Sequence, residues 1–299
     1  MTGRPVTLGV DLGGTGTRVV ALGPGGAVLG QATFRTASGD AAAGGQAAAV
    51  QSLLGHLAEV ARDQPVAAAG IGASGPVTAA GIIENPATLP GYTGLDLCAD
   101  IEKGTGWPCV IDNDAAAAAI GEYRYGAGRG ARTGLVVTLG TGIGVGMVTG
   151  GQLVRASDGT HPEAGHIAVP DAPVPCYCGL ARCWEQAASR TALEALTGAD
   201  PAAVAAAARG GDASAAQSFE RYGQLLASGL GTLLTVFRPD RVVLGGSAAQ
   251  YLDLFAAALT AGLDRDAPYQ WTPPVVPAEL AGLSGAIGAA VLARASVPS

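Results

Sequence analysis

Residues 163 to 185 bring Glu163, His166, Cys176, Cys178, Cys183 and Glu185 into one short stretch, with three of the chain's five cysteines and one of its three histidines among them. Three thiolates and one imidazole are the donor set that a soft tetrahedral ion such as Zn²⁺ takes, and the Pro-rich segment PDAPVP at 170 to 175 lets the chain fold back to deliver them. The spacing predicts a Cys3His zinc site at His166, Cys176, Cys178 and Cys183, with His161 as the alternative nitrogen ligand. A disulfide between two of these thiols is the competing reading, and it needs an oxidising compartment. The opening MTGRPVTLGVDLGG runs into a strand with no charged and then apolar leader, which reads as a cytoplasmic protein. Glu163 and Glu185 bracket the ligands without belonging to them, a placement suited to binding something polar. Cys98 and Cys109 read as small buried hydrophobes without partners.

Any phosphate has to be held without lysine. Lys103 is the only one in the chain and lies in what reads as a polar loop, IEKGTG. A Walker A loop would lack its cation, and a Schiff-base enzyme would lack its buried amine. Glycine-threonine turns offer another way, because backbone N–H groups approach a phosphate closely where no Cβ intervenes and the threonine hydroxyl adds a donor. Two such turns occur, at Gly13, Gly14 and Thr15 and at Gly140, Thr141 and Gly142. Each alone reads equally as a plain tight turn, but the matched pair favours a nucleotide's phosphates, with Asp11 positioning Mg²⁺ through water. The cluster IDND at 111 to 114 supplies a carboxylate at a strand-to-helix junction. Asp114 there can accept a hydroxyl proton as the oxygen attacks phosphorus, with Asn113 positioning the same substrate. Equally, Asp112, Asn113 or Asp114 can be the helix N-cap.

The elements that position these groups alternate between strand and helix. VTLGVDLGGTGTRVVAL reads as a hairpin, since Thr17 to Val20 is β-branched and no G-x-G-x-x-G leads into a helix. LVVTLGTGIGVGMV at 135 to 148 repeats that form, which suggests internal duplication. Between the copies come a helix at 46 to 64, a strand at 66 to 75, a strand through Ile111 and an alanine-rich helix to about Tyr125. Helices follow near 185 to 196, at 201 to 209 and at 214 to 237. A buried strand then leads through Gly245 and Gly246 into a helix, and GLSGAIGAAVLARAS closes the chain as another.

At 299 residues the chain has room for two lobes, and 17 basic against 24 acidic residues, net charge −7, exclude the basic stripe of a nucleic-acid protein. The apolar run from Gly223 to Phe237 is broken by Gln224, Ser228 and Gly231, so no membrane span is expected.

Taken in order, DLGGTGT, IDND, LGTGIGVG, HPEAGH, CYCGLARCWE and VVLGG resemble the ROK family (repressor, open reading frame, kinase), and they cover nearly the whole chain. The resemblance implies an α/β, two-lobed actin-like ATPase (ribonuclease H-like) fold with a zinc-binding loop in the second lobe. It implies an active site in the cleft, where the ATP γ-phosphoryl group passes to a hexose hydroxyl. The family's base falls on Asp114. Its sugar-binding groups fall on Asn113, Glu163, His166 and Glu185, with His166 touching both sugar and zinc. Nucleotide contacts fall on Asp11, Gly13, Gly14, Thr15, Gly140, Thr141, Gly142, Gly245 and Gly246. The C-terminal helix is expected to return to the first lobe, giving lobes of 1–112 plus 283–299 and 113–282. Members are commonly dimers or tetramers, so a homodimer or homotetramer is expected. Departures from the pattern are Gly16, Arg182, Arg190 and NPATLPGY at 85 to 92, where Tyr92 replaces tryptophan.

The expected activity is therefore an ATP- and Mg²⁺-dependent hexose kinase acting at the 6-hydroxyl, with zinc structural. Glucose is the default acceptor, and N-acetylmannosamine, N-acetylglucosamine or kanosamine are alternatives. A sugar-responsive repressor would carry a helix-turn-helix ahead of the first glycine turn, where ten residues precede Asp11. A silent sugar-binding protein would have no need of the base and both phosphate turns.

Overall fold

The computed structural model describes residues 4–38, 44–264 and 270–297. The outer ends of the expected lobe ranges, 1–3 and 298–299, lie outside the described residues. In chain order the elements begin β1 (Val6–Leu12), β2 (Gly16–Leu22), β3 (Val28–Arg35), α1 (Gly45–Ala61), β4 (Val66–Ala73), α2 (Leu97–Thr105), β5 (Cys109–Asn113) and α3 (Asp114–Tyr125). They continue with β6 (Thr133–Leu139), β7 (Ile143–Thr149), β8 (Gln152–Leu153), α4 (Trp184–Ala188), α5 (Arg190–Thr197) and α6 (Pro201–Arg209). The last are α7 (Ala213–Phe237), β9 (Arg241–Gly245), α8 (Leu252–Leu263), β10 (Val275–Pro277) and α9 (Ser284–Ser296).

Two five-stranded sheets have the orders β3-β2-β1-β4-β5 and β10-β9-β6-β7-β8. Numbered within its own half, the second sheet runs 5-4-1-2-3, which is the first read backwards. In each, the first strand also pairs in parallel with the fourth, and the fourth with the fifth. The duplicated hairpins thus belong to a duplicated sheet.

Contacts divide the chain into a first unit of Met1–Arg129, Gly146–Pro162 and Glu279–Ser299 and a second of Gly130–Val145 and Glu163–Ala278. The first therefore takes α3 and the 146–162 segment, which the expected division at 112/113 assigns to the second lobe. The reason is packing: α3 lies along α9, and α9 also covers β1 and β4. Ala115, Ala116, Ala117, Ala119, Ala286, Ala289 and Ala290 are buried here, and small side chains let the two backbones approach closely. The C-terminal helix α9 belongs to the first unit.

Buried Glu122, at the end of α3, fastens that packing. Its carboxylate accepts N–H bonds from Ala127 (2.9 Å), Glu279 (3.2 Å) and Leu280 (3.1 Å), and the Ser284 hydroxyl at 2.6 Å. Glu122→Ala strands three backbone donors at once. Charged hydrogen bonds of this kind and buried orphan donors are each worth about 1–3 kcal/mol. The variant is thus expected to lose about 3 kcal/mol or more of stability in urea unfolding.

Several local expectations change. The helix near 185 to 196 is two helices, because Ser189 is extended (φ −73, ψ 173) and caps α5 by accepting the Ala192 N–H. A 3-10 turn over Ser247–Tyr251 intervenes before α8. Lys103 lies in the last turn of α2 rather than in a loop. Cys98 and Cys109 are partly exposed and neighbour each other, and the Cys98 thiol pushes that of Cys109 well above its ordinary value. Tyr92 is fully buried with its hydroxyl on the Ala49 carbonyl at 3.2 Å, so the replacement of tryptophan there is a matter of core packing. No helix among the described residues is long and apolar enough to cross a membrane.

Candidate active site

Parallel pairing sets the first group of residues. β1, β4 and β5 lie side by side in one direction, with Asp11 opposite Gly72, Gly72 opposite Asp112, and Ala73 opposite Asn113. The carboxyl ends of the three strands therefore come together, the usual place for chemistry in a parallel sheet. They present Asp11, Ser74 and Asp114.

Asp112, Asn113 and Asp114 have separate tasks. Asp112 forms a two-pronged ion pair with Arg155, whose Nη1 lies 2.8 Å from Oδ1. Asn113 is the N-cap of α3: its Oδ1 accepts the N–H groups of Ala115 (2.8 Å) and Ala116 (3.2 Å). One of its amide hydrogens goes to the Gly75 carbonyl at 3.1 Å, which leaves one hydrogen of that group to offer a substrate. With the cap supplied by Asn113, Asp114 is relieved of that duty, although its Oδ1 also lies 2.8 Å from the Ala115 N–H.

Burial, and next the nearby Asp11 carboxylate, push the Asp114 pKa up to about 7, against the opposing effects of the Ala115 N–H, His161 and the Ser74 hydroxyl. A carboxyl group poised there takes and releases a proton readily at neutral pH. Burial also raises Asp11, while Arg18, 3.5 Å away, opposes the shift. Sequence reasoning missed Ser74 and Arg155. Ser74 was within reach of it, since β4 ends one residue earlier and neighbouring parallel strands end together. Arg155 arrives from a loop with no local signal. His161 belongs to the first unit, where it lines a cavity of about 440 Å³ with Asp112 and Arg155, and it is not among the clustered metal-ligand candidates.

The first glycine turn joins β1 to β2. The Gly13 N–H reaches the Gly16 carbonyl at 3.2 Å, the Gly13 carbonyl accepts the Thr36 hydroxyl, and the Thr15 carbonyl accepts the Thr36 N–H at 3.5 Å. Gly14 faces Thr88. The second turn joins β6 to β7 and is held from behind by α5. The Arg190 N–H donates to the Gly140 carbonyl (2.8 Å), and the Thr191 hydroxyl to that of Thr141 (2.9 Å). A Cβ on Gly142 would stand 2.2 Å from Glu185 Oε2, so glycine there makes room for the carboxylate. Gly246, at φ 80, lies against the backbone of Leu139, where a Cβ would meet N and O at 2.5 Å. The Gly245–Gly246 turn and the 140–142 turn are thus neighbours in the second unit.

The cysteine loop closes on a short ladder. Ala168 bridges Cys183, Val169 N–H reaches the Arg182 carbonyl (3.3 Å), and Trp184 N–H reaches that of Ile167 (2.9 Å). Arg182 ties the Pro-rich segment down through the Pro170 carbonyl at 2.8 Å. A tight turn over 176–180, with Cys176 N–H on the Leu180 carbonyl at 2.9 Å, brings Cys176 and Cys178 to the same cluster as His166 and Cys183. The donor atoms of His166, Cys176, Cys178 and Cys183 lie within 4.8 Å of one another. His166 Nδ1 stands 3.3 Å from Cys183 Sγ and 3.7 Å from Cys176 Sγ. Tetrahedral zinc with Zn–S near 2.3 Å and Zn–N near 2.0 Å sets ligands about 3.5–3.8 Å apart, so the set fits. Burial alone would raise the Cys176 thiol, but hydrogen bonds from the Cys178 N–H, Gln186 and its neighbouring thiols outweigh it and hold it below its ordinary value.

His166 Nε2 points the other way, to 4.0 Å from Glu185 Oε2. Glu185 is buried and accepts the Ile143 N–H at 3.1 Å. Glu163 is exposed at the start of the 3-10 turn that carries His166, its carbonyl accepting the His166 N–H at 3.0 Å. One imidazole therefore faces thiols on one side and a carboxylate on the other.

The sequence profile of the ROK family matches residues 7–296. The glucokinase of Streptomyces coelicolor is 32% identical over 322 residues, covering 98% of this chain and 99% of that one. The N-acetylmannosamine kinase of Yersinia pestis is 32% identical over 298 residues, 97% of this chain and 99% of that one. A ROK family glucokinase from Streptomyces griseus, solved with glucose and AMPPNP, matches with a TM-score of 0.82 and 31% identity, over 97% of this chain and all of that one.

Proposed function

This chain belongs to the ROK family as one of its glucokinase-like sugar kinases, with the family's α/β actin-like ATPase fold, and from that we propose a specific reaction: transfer of the ATP γ-phosphoryl group to the 6-hydroxyl of a hexose, with Asp114 as general base. The observation that carries the role of Asp114 is the division of labour at the start of α3, where Asn113 caps the helix and Asp114 is left near neutral pKa beside Asp11. In the reaction the sugar oxygen bonds to the γ-phosphorus as the bond to the β-bridging oxygen breaks. ADP leaves, and the hydroxyl proton goes to Asp114.

Asn113, Glu163, His166 and Glu185 bind the sugar's hydroxyls in this reading. The turns at Gly13 to Thr15, Gly140 to Gly142 and Gly245 to Gly246 bind phosphate through backbone N–H groups, and Asp11 holds Mg²⁺ through water. Zinc, bound by His166, Cys176, Cys178 and Cys183, would supply a fixed anchor for the loop that carries the sugar-binding side chains.

Two acceptors have direct support, since a glucokinase and an N-acetylmannosamine kinase are each 32% identical to this chain. A coupled ADP-release assay over glucose, mannose, N-acetylmannosamine, N-acetylglucosamine and kanosamine identifies the acceptor. Glucose is expected to give the highest kcat/KM, and a higher value for N-acetylmannosamine reassigns the enzyme to the second reading.

The base also sets the pH dependence. Only ionised Asp114 accepts a proton, so kcat/KM is expected to rise with pH through an acid limb near 7. Asp11→Asn removes a like charge and moves the limb to lower pH, whereas Ser74→Ala removes a hydrogen bond to the carboxylate and moves it higher. Profiles of the three proteins check both signs.

A further inference from the structure

Tyr177 stands between two of the proposed zinc ligands, yet its side chain reaches the opposite side of His166. It is 82% exposed, and its ring stands edge-on to the imidazole, with centroids 5.2 Å apart and planes at 84°. Its hydroxyl lies 3.2 Å from His166 Nε2, and the Glu185 carboxylate that faces the same nitrogen is close enough to act on it electrostatically. With Nδ1 turned to the thiols of Cys183 and Cys176, Nε2 is the nitrogen that the imidazole offers to a ligand.

A hydroxyl that bridges these partners accepts a hydrogen bond from Nε2–H and donates one to the carboxylate. A sugar hydroxyl makes the same two bonds with the same two groups, since both are one-donor, two-acceptor hydroxyls. We propose that the Tyr177 hydroxyl competes with a hydroxyl of the acceptor sugar for His166 Nε2 and Glu185, and so sets the affinity of the acceptor site. The inference rests on the reading of His166 and Glu185 as sugar-binding groups. Because the side chain is exposed, displacing it costs little beyond its hydrogen bonds.

Tyr177→Phe keeps the ring and its edge contact and removes only the hydroxyl. Calorimetry of hexose binding, without nucleotide, is expected to show a Kd lowered by about two- to tenfold, the scale of one net hydrogen bond. KM for the sugar falls with it, kcat stays within about twofold, and zinc content matches the parent protein. An unchanged or raised Kd overturns the proposal, the raised value meaning that the phenol assists the sugar instead. Tyr177→Ala, which also removes the ring, is expected to shift Kd in the same direction, and an opposite shift counts against competition. If the parent protein itself binds none of the hexoses, the acceptor-site reading has failed before Tyr177 is in question, and the proposal falls with it.

Discussion

Asp114→Asn is expected to lower kcat for hexose phosphorylation at least about a hundredfold, the scale on which loss of a general base is felt. Asparagine keeps the size and one acceptor oxygen of the side chain, so the contact with the Ala115 N–H survives while the proton acceptor is lost. The cap of α3 is the neighbouring Asn113 and is untouched, so the melting temperature should not fall. It is expected to rise, because a buried carboxyl group beside Asp11 is replaced by a neutral amide. Hexose affinity should change much less than kcat, since Asn113, Glu163, His166 and Glu185 are retained. Turnover within a few fold of the parent, measured by ADP release under saturating sugar, would leave Asp114 as a second helix-capping group and no more.

Loss of the metal has the second largest expected effect. Elemental analysis of protein purified without added zinc should give about one ion per chain, as a closed four-ligand site requires. Cys178 is the exposed member of the set, so Cys178→Ser removes a ligand without opening a cavity. That variant is expected to lose most of its zinc, and KM for the sugar should rise about 10–100-fold, the range seen when the support of a metal site is disturbed. The effect should fall on KM more than on kcat, because the metal would fix His166 and Cys183, the residue just ahead of the α4 turn that carries Glu185, whereas Asp114 belongs to the other unit. Zinc-free protein that binds hexose with unchanged affinity would remove the anchoring role.

Much of the fold was legible because it rests on local patterns. β-branched runs on either side of a glycine-threonine turn can hardly be anything but hairpins, and both were found with the strands expected of them. The alanine run after Asp114 and the apolar spacing of α7 likewise fixed two helices. What escaped depends on residues far apart in the chain. The boundary between the units follows the packing of α3 on α9, about 160 residues later, as the Glu122 bonds to Leu280 and Ser284 show. No residue near 112 signals it. Short strands such as β8 and β10 are made by their neighbours rather than by their own composition.

The site divides in the same way. The ligand set is legible in the cysteine spacing because here the donors come from one short segment, and His166, Cys176, Cys178 and Cys183 do converge. The Asp-Asn-Asp cluster was ambiguous because all three residues make good caps. Only the direction of each side chain separates Asp112, on Arg155, from Asn113, on the helix, and from Asp114. The turn motif points to phosphate at Gly142, and its contact with Glu185 adds a second reason for glycine that the motif alone does not contain.

The central claim is that a hexose 6-hydroxyl receives the ATP γ-phosphoryl group. Phosphorus NMR of the purified protein with ATP, Mg²⁺ and glucose tests it most directly. The expected result is ADP together with an equal amount of a phosphomonoester coupled to the protons on carbon 6, its formation abolished in Asp114→Asn. ADP with free inorganic phosphate, or a phosphorylated sugar formed equally well by that variant, would contradict the account.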